Sequence, residues 1–134
     1  TQSLKNFGTG ILPSHWLEMV KSRLYDGDEA AAWTIHRVVK DFMAAFSPIC
    51  PFFAHHITST LYGYSAVDIR SFPQSVLKEP ELCALTSRII EFNSMVWKSK
   101  KDSGLSLKEP VSGIPIPDEL VEFTEVLTSM HSLE

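Results

Sequence analysis

The sequence predicts a mainly α-helical protein, a helix bundle of four to five helices with short extended insertions. Apolar residues recur every three to four positions in several stretches, and prolines and glycines separate those stretches. The hydrophobic share of 44% and the charged share of 21% are typical of a globular domain. The 134 residues suit one domain, 1–134, which would bury roughly two-thirds of its unfolded surface.

The N-terminal part is predicted to be irregular and then helical. Residues 1–12 contain Gly8 and Gly10, which disfavour a helix. Pro13 suits a first helical turn, and Gly27 suits the residue that ends a helix. The inner face of this first helix repeats every four residues, at Trp16, Val20 and Leu24.

The second and third helices have clear end signals. Asp28 is predicted to cap the second helix, and Pro48 to break or kink it. Pro51 opens a third, shorter helix that ends at Gly63. Along the second helix, the apolar residues form one stripe: Ala31, Ile35, Val38, Phe42 and Ala45.

Residues 64–78 are predicted to be extended or turn-like, and the fourth helix begins near Pro80 and ends before Gly104. Its apolar residues follow steps of three and four: Leu82, Leu85, Ile89, Phe92 and Val96. The three prolines of 105–117 predict an extended edge segment. Asp118 is then predicted to cap a final helix.

Charge and cysteine usage exclude several classes of protein. The net charge of −4 argues against general coating of nucleic acid but allows a local basic patch. No apolar run could cross a bilayer and no signal-peptide core follows Thr1, so we expect a cytoplasmic protein. Cys50 and Cys83 are expected to be small buried hydrophobes. The terminal pair 133–134, Leu-Glu, resembles a cloning remnant, so we expect no structural role for it.

No catalytic or metal site is predicted. The adjacent pair His55 and His56 cannot face one metal ion from a helix, so we expect one to pack and one to be solvated. Three basic clusters remain, and a solvated helix face is the common interpretation of such clusters. They are Lys21 and Arg23 on the helix of Trp16; Arg37 and Lys40; and Lys98, Lys100 and Lys101 after Trp97.

Four segments in order, 16–25, 46–57, 61–73 and 96–107, resemble the C-terminal anticodon-binding domain of class I aminoacyl-tRNA synthetases, closest to archaeal-type valyl-tRNA synthetases. The first has an aromatic residue, Leu-Glu and Lys-x-Arg; the second has the Pro-x-x-Pro turn; the fourth has a Lys-rich helix end before Gly-Leu-Ser-Leu. The resemblance covers roughly residues 14–131.

The resemblance implies that this fragment holds the anticodon stem-loop of a tRNA, while the catalytic domain of the same enzyme joins valine to that tRNA with ATP and magnesium. The fragment itself is expected to be non-catalytic, with no cofactor and no metal. Basic side chains would contact phosphates and exposed aromatics would meet unpaired bases. The predicted tRNA-binding residues are Lys21, Arg23, Trp97, Lys98, Lys100 and Lys101.

Three alternatives stay open at this point. The same bundle occurs in isoleucine and leucine enzymes, as far as the resemblance goes. A helical protein-interaction module without an RNA role would show a large exposed apolar patch. A small enzyme using His55 or His56 would bind stoichiometric zinc.

Overall fold

The computed structural model describes residues 2–65, 73 and 78–134, and these form a helical bundle, as predicted. The helical elements are α1 (Gln2–Asn6), a π-helical segment (Phe7–Trp16), α2 (Leu17–Tyr25), α3 (Glu29–Phe46), α4 (Pro51–Tyr62), α5 (Pro80–Asp102), a 3-10 segment (Asp118–Phe123) and α6 (Thr124–His131). Helix α2 packs against both α3 and α6, and α3 packs against α4.

The prediction that residues 1–12 are irregular is wrong for the described residues 2–12, which are helical. Gly8 lies against the ring of Phe42, and a Cβ at Gly8 would collide with that ring. The glycine therefore permits close helix packing instead of breaking the helix. Pro13 lies inside the π-helical segment. Proline has no N–H to donate to the helix, and the wider turns of a π-helix are found at this point.

The middle helices begin and end where the sequence predicts. The Asp28 carboxylate accepts hydrogen bonds from the amides of Ala30 (2.9 Å) and Ala31 (3.1 Å), which confirms the cap of α3. Helix α4 begins at Pro51 and is ended by Gly63, whose φ of +72° is the left-handed conformation that glycine adopts without strain. The α3–α4 pair encloses a small core around Met43 and Ala54.

The main core lies between α5 and the C-terminal elements. Its buried residues are Phe92, Val96, Leu120 and Leu127. Leu133 packs against this core and forms a parallel bridge with Val111, so the last two residues do have a structural role. The bridge fits the extended edge predicted for 105–117, whereas the segment predicted at 64–78 lies mostly outside the described residues.

Three local predictions are corrected. Asp118 makes no side-chain cap, because a 3-10 segment precedes α6 and Pro117 stands at its start. Cys50 and Cys83 are both exposed free thiols: Cys50 precedes α4 and Cys83 lies in the first turn of α5, and both positions face solvent.

Among the described helices, none is long and apolar enough to cross a membrane.

Candidate nucleic-acid interface

At the lysine-rich end of α5, two of the three lysines that were predicted to bind tRNA are exposed to solvent. Lys98 and Lys101 are exposed, whereas Lys100 is completely buried. The Lys100 ammonium donates hydrogen bonds to the carbonyl oxygens of Leu107 (2.9 Å), Glu109 (2.6 Å) and His131 (2.6 Å). All three ammonium protons are therefore used inside the protein, so Lys100 cannot also contact a phosphate.

The phase of α5 explains why Lys100 is internal. Lys100 follows Asn93 by seven residues and Val96 by four, and all three are buried on one face of the helix. Burial lowers the pKa of Lys100, and the nearby Glu109 carboxylate acts in the opposite direction. The amine joins the 105–117 segment and the end of α6 to α5, which is a structural task.

A polar junction beside Lys100 connects three elements. Asn93 donates a hydrogen bond from Nδ2 to Nδ1 of His15 (3.2 Å), and its Oδ1 accepts one from Nε2 of His131 (2.8 Å). Burial, with smaller contributions from the charges of Lys100 and His15, lowers the pKa of His131 from 6.5 to about 4. Burial also lowers the pKa of His15. The His15 imidazole must be neutral to accept at Nδ1, and the lowered pKa of His131 keeps that ring neutral at pH 7.

Trp97 belongs to this junction as well. The Trp97 ring is half-buried, with the ring of His15 at 5.2 Å and that of His131 at 5.8 Å between centroids. These imidazoles occupy ring surface that a nucleotide base would need. Less of the Trp97 ring is therefore open to a stacked base than its position in the sequence, beside three lysines, indicates.

Lys21 and Arg23 are exposed on α2, and each already has an acidic partner. Lys21 lies 3.0 Å from Glu18, and that hydrogen bond and charge raise the pKa of Lys21. The Arg23 guanidinium lies 2.6 Å from the Asp28 carboxylate, which is also the cap of α3. Both cations can reach a ligand, but a phosphate would have to compete with these carboxylates.

Trp16 is half-buried and lines a cavity of about 550 Å³ between the N-terminal helical stretch, α5 and the C-terminal elements. Most of its lining is apolar, including Phe7, Met19, Ile89 and Phe123. Arg23 of α2 lines the same cavity, so Trp16 and this cation border one largely apolar space.

A second surface, which we call the Trp33 face, combines aromatic and basic side chains on α3 and the end of α4. Trp33 is 66% exposed. One to two turns later on α3, His36 Nδ1 lies 3.0 Å from the Tyr62 hydroxyl and Lys40 Nζ lies 4.6 Å from the centre of the Tyr62 ring. Arg37 is paired with Asp41 at 2.8 Å. The basic pair on α3 is evident in the sequence, whereas no sequence pattern distinguishes Trp33.

The paired histidines of α4 do not form a site with other metal ligands. His55 and His56 are both exposed, so the expectation that one would pack is wrong. His55 Nδ1 lies 2.8 Å from Ser65 Oγ. Across residues 2–65, 73 and 78–134, no three His, Cys, Asp or Glu side chains are grouped so that they could hold a metal ion.

Comparison with known proteins places these features in a family. Residues 1–114 match the model of the anticodon-binding domain of tRNA ligase. The chain belongs to this family. It is 32% identical to the valine–tRNA ligase of Saccharolobus solfataricus over 114 residues, which cover 83% of the chain and 14% of that protein.

Two further relatives cover more of the chain. The valine–tRNA ligase of Aeropyrum pernix is 32% identical over 134 residues, covering 90% of the chain and 16% of that protein. That of Nanoarchaeum equitans is 28% identical over 138 residues, covering 99% of the chain and 17% of that protein. The chain thus spans less than a fifth of the length of these relatives. No solved structure matches it.

Proposed function

We propose that the chain binds the anticodon stem-loop of valine tRNA as one domain of a valine–tRNA ligase. The family match over residues 1–114, together with relatives that are named valine–tRNA ligase, carries this proposal. In the full-length enzyme, a catalytic domain outside this chain would use ATP and magnesium to join valine to the tRNA. We place the enzyme in the cytoplasm, where tRNA is available.

The structure supports a positioning role for this domain. Helices held together by a buried core and by the interior hydrogen bonds of Lys100 form a firm frame. Lys98 and Lys101 are exposed at one end of that frame, where they are available for phosphate contacts. Lys21 and Arg23 offer further cations on α2. A frame of this kind would orient the stem-loop so that the far end of the tRNA reaches the catalytic domain.

A gel-shift series with the 134-residue chain tests the proposal. The titrated RNAs are valine tRNA, isoleucine tRNA, leucine tRNA and one unrelated tRNA at low salt, followed by the isolated valine anticodon stem-loop. We expect valine tRNA to bind most tightly and its stem-loop to retain most of that affinity. Preference for isoleucine or leucine tRNA would reassign the specificity. Absence of any tRNA binding at low salt would overturn the RNA role and favour a protein-interaction module.

A further inference from the structure

We propose that the Trp33 face is a second RNA contact, at which an unpaired base stacks on Trp33 and an adjoining phosphate pairs with Lys40. The inference rests on the proposed function and adds a binding site away from the lysine-rich end of α5. It is carried by an exposed tryptophan, by a cation two turns further along α3 that is held over the Tyr62 ring, and by the position of that ring at the end of α4.

The exposure of Trp33 is the first step. Burial of a large apolar side chain stabilises the folded state, yet Trp33 keeps 66% of its surface in solvent. Trp97 on α5, in contrast, is half-buried between two imidazoles. An exposed indole of this kind offers a flat apolar surface on which any base can stack.

The end of α4 explains why Trp33 stays uncovered by that helix. The Tyr62 ring, in the last turn of α4, contacts His36 and Lys40 on α3. Trp33 lies one turn before His36 on α3, on the side of the His36–Tyr62 contact that is away from α4. The Tyr64 ring is stacked on that of Tyr62, at 6.0 Å between centroids, and extends the aromatic surface at the end of α4.

The charges of this face suit one phosphate. The Lys40 ammonium lies over the Tyr62 ring, and among the described carboxylates none lies within ion-pair distance of it. Contact with an aromatic ring fixes the position of the cation but does not neutralise it. Arg37 is already paired with Asp41, so we assign the phosphate contact to Lys40. An exposed aromatic and an unpaired cation on one surface are the combination that binds single-stranded nucleic acid.

A protein partner would be expected on a different surface. The start of α4 exposes three apolar side chains close together in sequence: Ile49 (48%), Phe52 (89%) and Phe53 (51%). Such a patch is typical of a contact between protein surfaces. The Trp33 face instead combines aromatic rings with a cation and a histidine, which is a polar composition that favours RNA.

The test compares Trp33→Ala and Trp33→Phe with Phe52→Ala, which removes another exposed aromatic, at the other end of the hairpin. Each variant is titrated with the valine anticodon stem-loop and with a fully paired RNA duplex of the same stem. We expect Trp33→Ala to bind the stem-loop about tenfold more weakly, since one stacked base contributes about that much. Trp33→Phe should restore most of the affinity, and Phe52→Ala should bind like the parent chain.

The paired duplex separates stacking from a general loss of binding. Its affinity should not change in Trp33→Ala, because a paired stem has no free base to stack. Equal weakening of both RNAs, or stem-loop binding by Trp33→Ala at the parent affinity, overturns the stacking site while leaving the proposed function intact. If the parent chain binds neither RNA, the proposed function itself fails. Helical content measured by circular dichroism confirms that each variant is folded.

Discussion

Two regions of this bundle use polar and aromatic groups in opposite ways. At the end of α5, Lys100, Asn93 and His131 are buried. Lys100 donates to the His131 carbonyl oxygen, and the His131 ring donates to the Asn93 side chain. On the Trp33 face, the indole of Trp33 and the ammonium of Lys40 remain at the surface. Buried polar groups with all partners inside the protein stabilise the fold, whereas an exposed aromatic beside a cation is available to a ligand.

The difference shows that a cluster of lysines in the sequence is a poor guide to a binding surface. Three lysines lie within four positions, yet the middle one faces the core and only its neighbours face solvent. Positions two residues apart on a helix point in nearly opposite directions, so Lys98 and Lys100 cannot share a role. The phase of the helix, more than the density of charge, decides which cations reach RNA.

Replacement of Lys100 should have the largest effect. In Lys100→Met, the carbonyl oxygens of Leu107, Glu109 and His131 lose their donor; the bond to His131 is buried and the other two are partly buried, and an unpaired buried group costs about 1–3 kcal/mol. We expect the free energy of unfolding to fall by about 4 kcal/mol, measured by urea titration. The matched Lys98→Met and Lys101→Met should change it by less than about 0.5 kcal/mol. Equal midpoints for all three variants would show that the interior role of Lys100 is wrong.

Acid should weaken the same region through His131. Its folded-state pKa of about 4 lies below the unfolded value of 6.5, so the unfolded chain binds the extra proton more readily. Stability from this group is therefore fully present above pH 6.5 and is lost as the pH falls towards 4, by about 3 kcal/mol. Burial of His15 acts in the same direction.

Urea midpoints measured between pH 4 and 7.5 test this, with His131→Gln as the comparison. Glutamine retains a donor for the Asn93 oxygen but does not titrate. We expect a flatter profile for the variant, with a remaining slope from His15. A variant profile parallel to that of the parent chain would assign the acid sensitivity to other groups.

Much of the helical framework is predictable because its signals are local. Pro51, Pro80 and the Asp28 cap act on their own turn of the chain, so the starts of α3, α4 and α5 are signalled in the sequence. The N-terminal helix could not be found in this way. Gly8 normally disfavours a helix, and only the Phe42 ring across the bundle shows why a glycine is needed there.

The site was less predictable for two physical reasons. The steps of three and four that end at Val96 continue to Lys100, so the sequence did contain the signal that this lysine is internal. The exposure of Trp33 has no such signal, because it depends on where α4 ends relative to α3. A tertiary property of that kind cannot be read from the periodicity of one helix.

The smallest effect expected is on the surface lysines, and it tests whether the end of α5 meets RNA at all. Lys98→Ala combined with Lys101→Ala removes two exposed cations without touching the buried junction. If both contact phosphates, the slope of log affinity against log salt should fall by about 2, and affinity for valine tRNA at low salt by about tenfold.

Lys5→Ala is the matched control, since Lys5 is an exposed cation at the end of α1 and its loss changes the net charge in the same sense. Two outcomes would show that the end of α5 only stabilises the bundle. The double variant would keep the salt slope of the parent chain, or Lys5→Ala would lower that slope as much per charge removed. RNA binding would then depend on the Trp33 face and α2. Because salt dependence counts the ions released from phosphates, it separates these cases even where total affinity changes little.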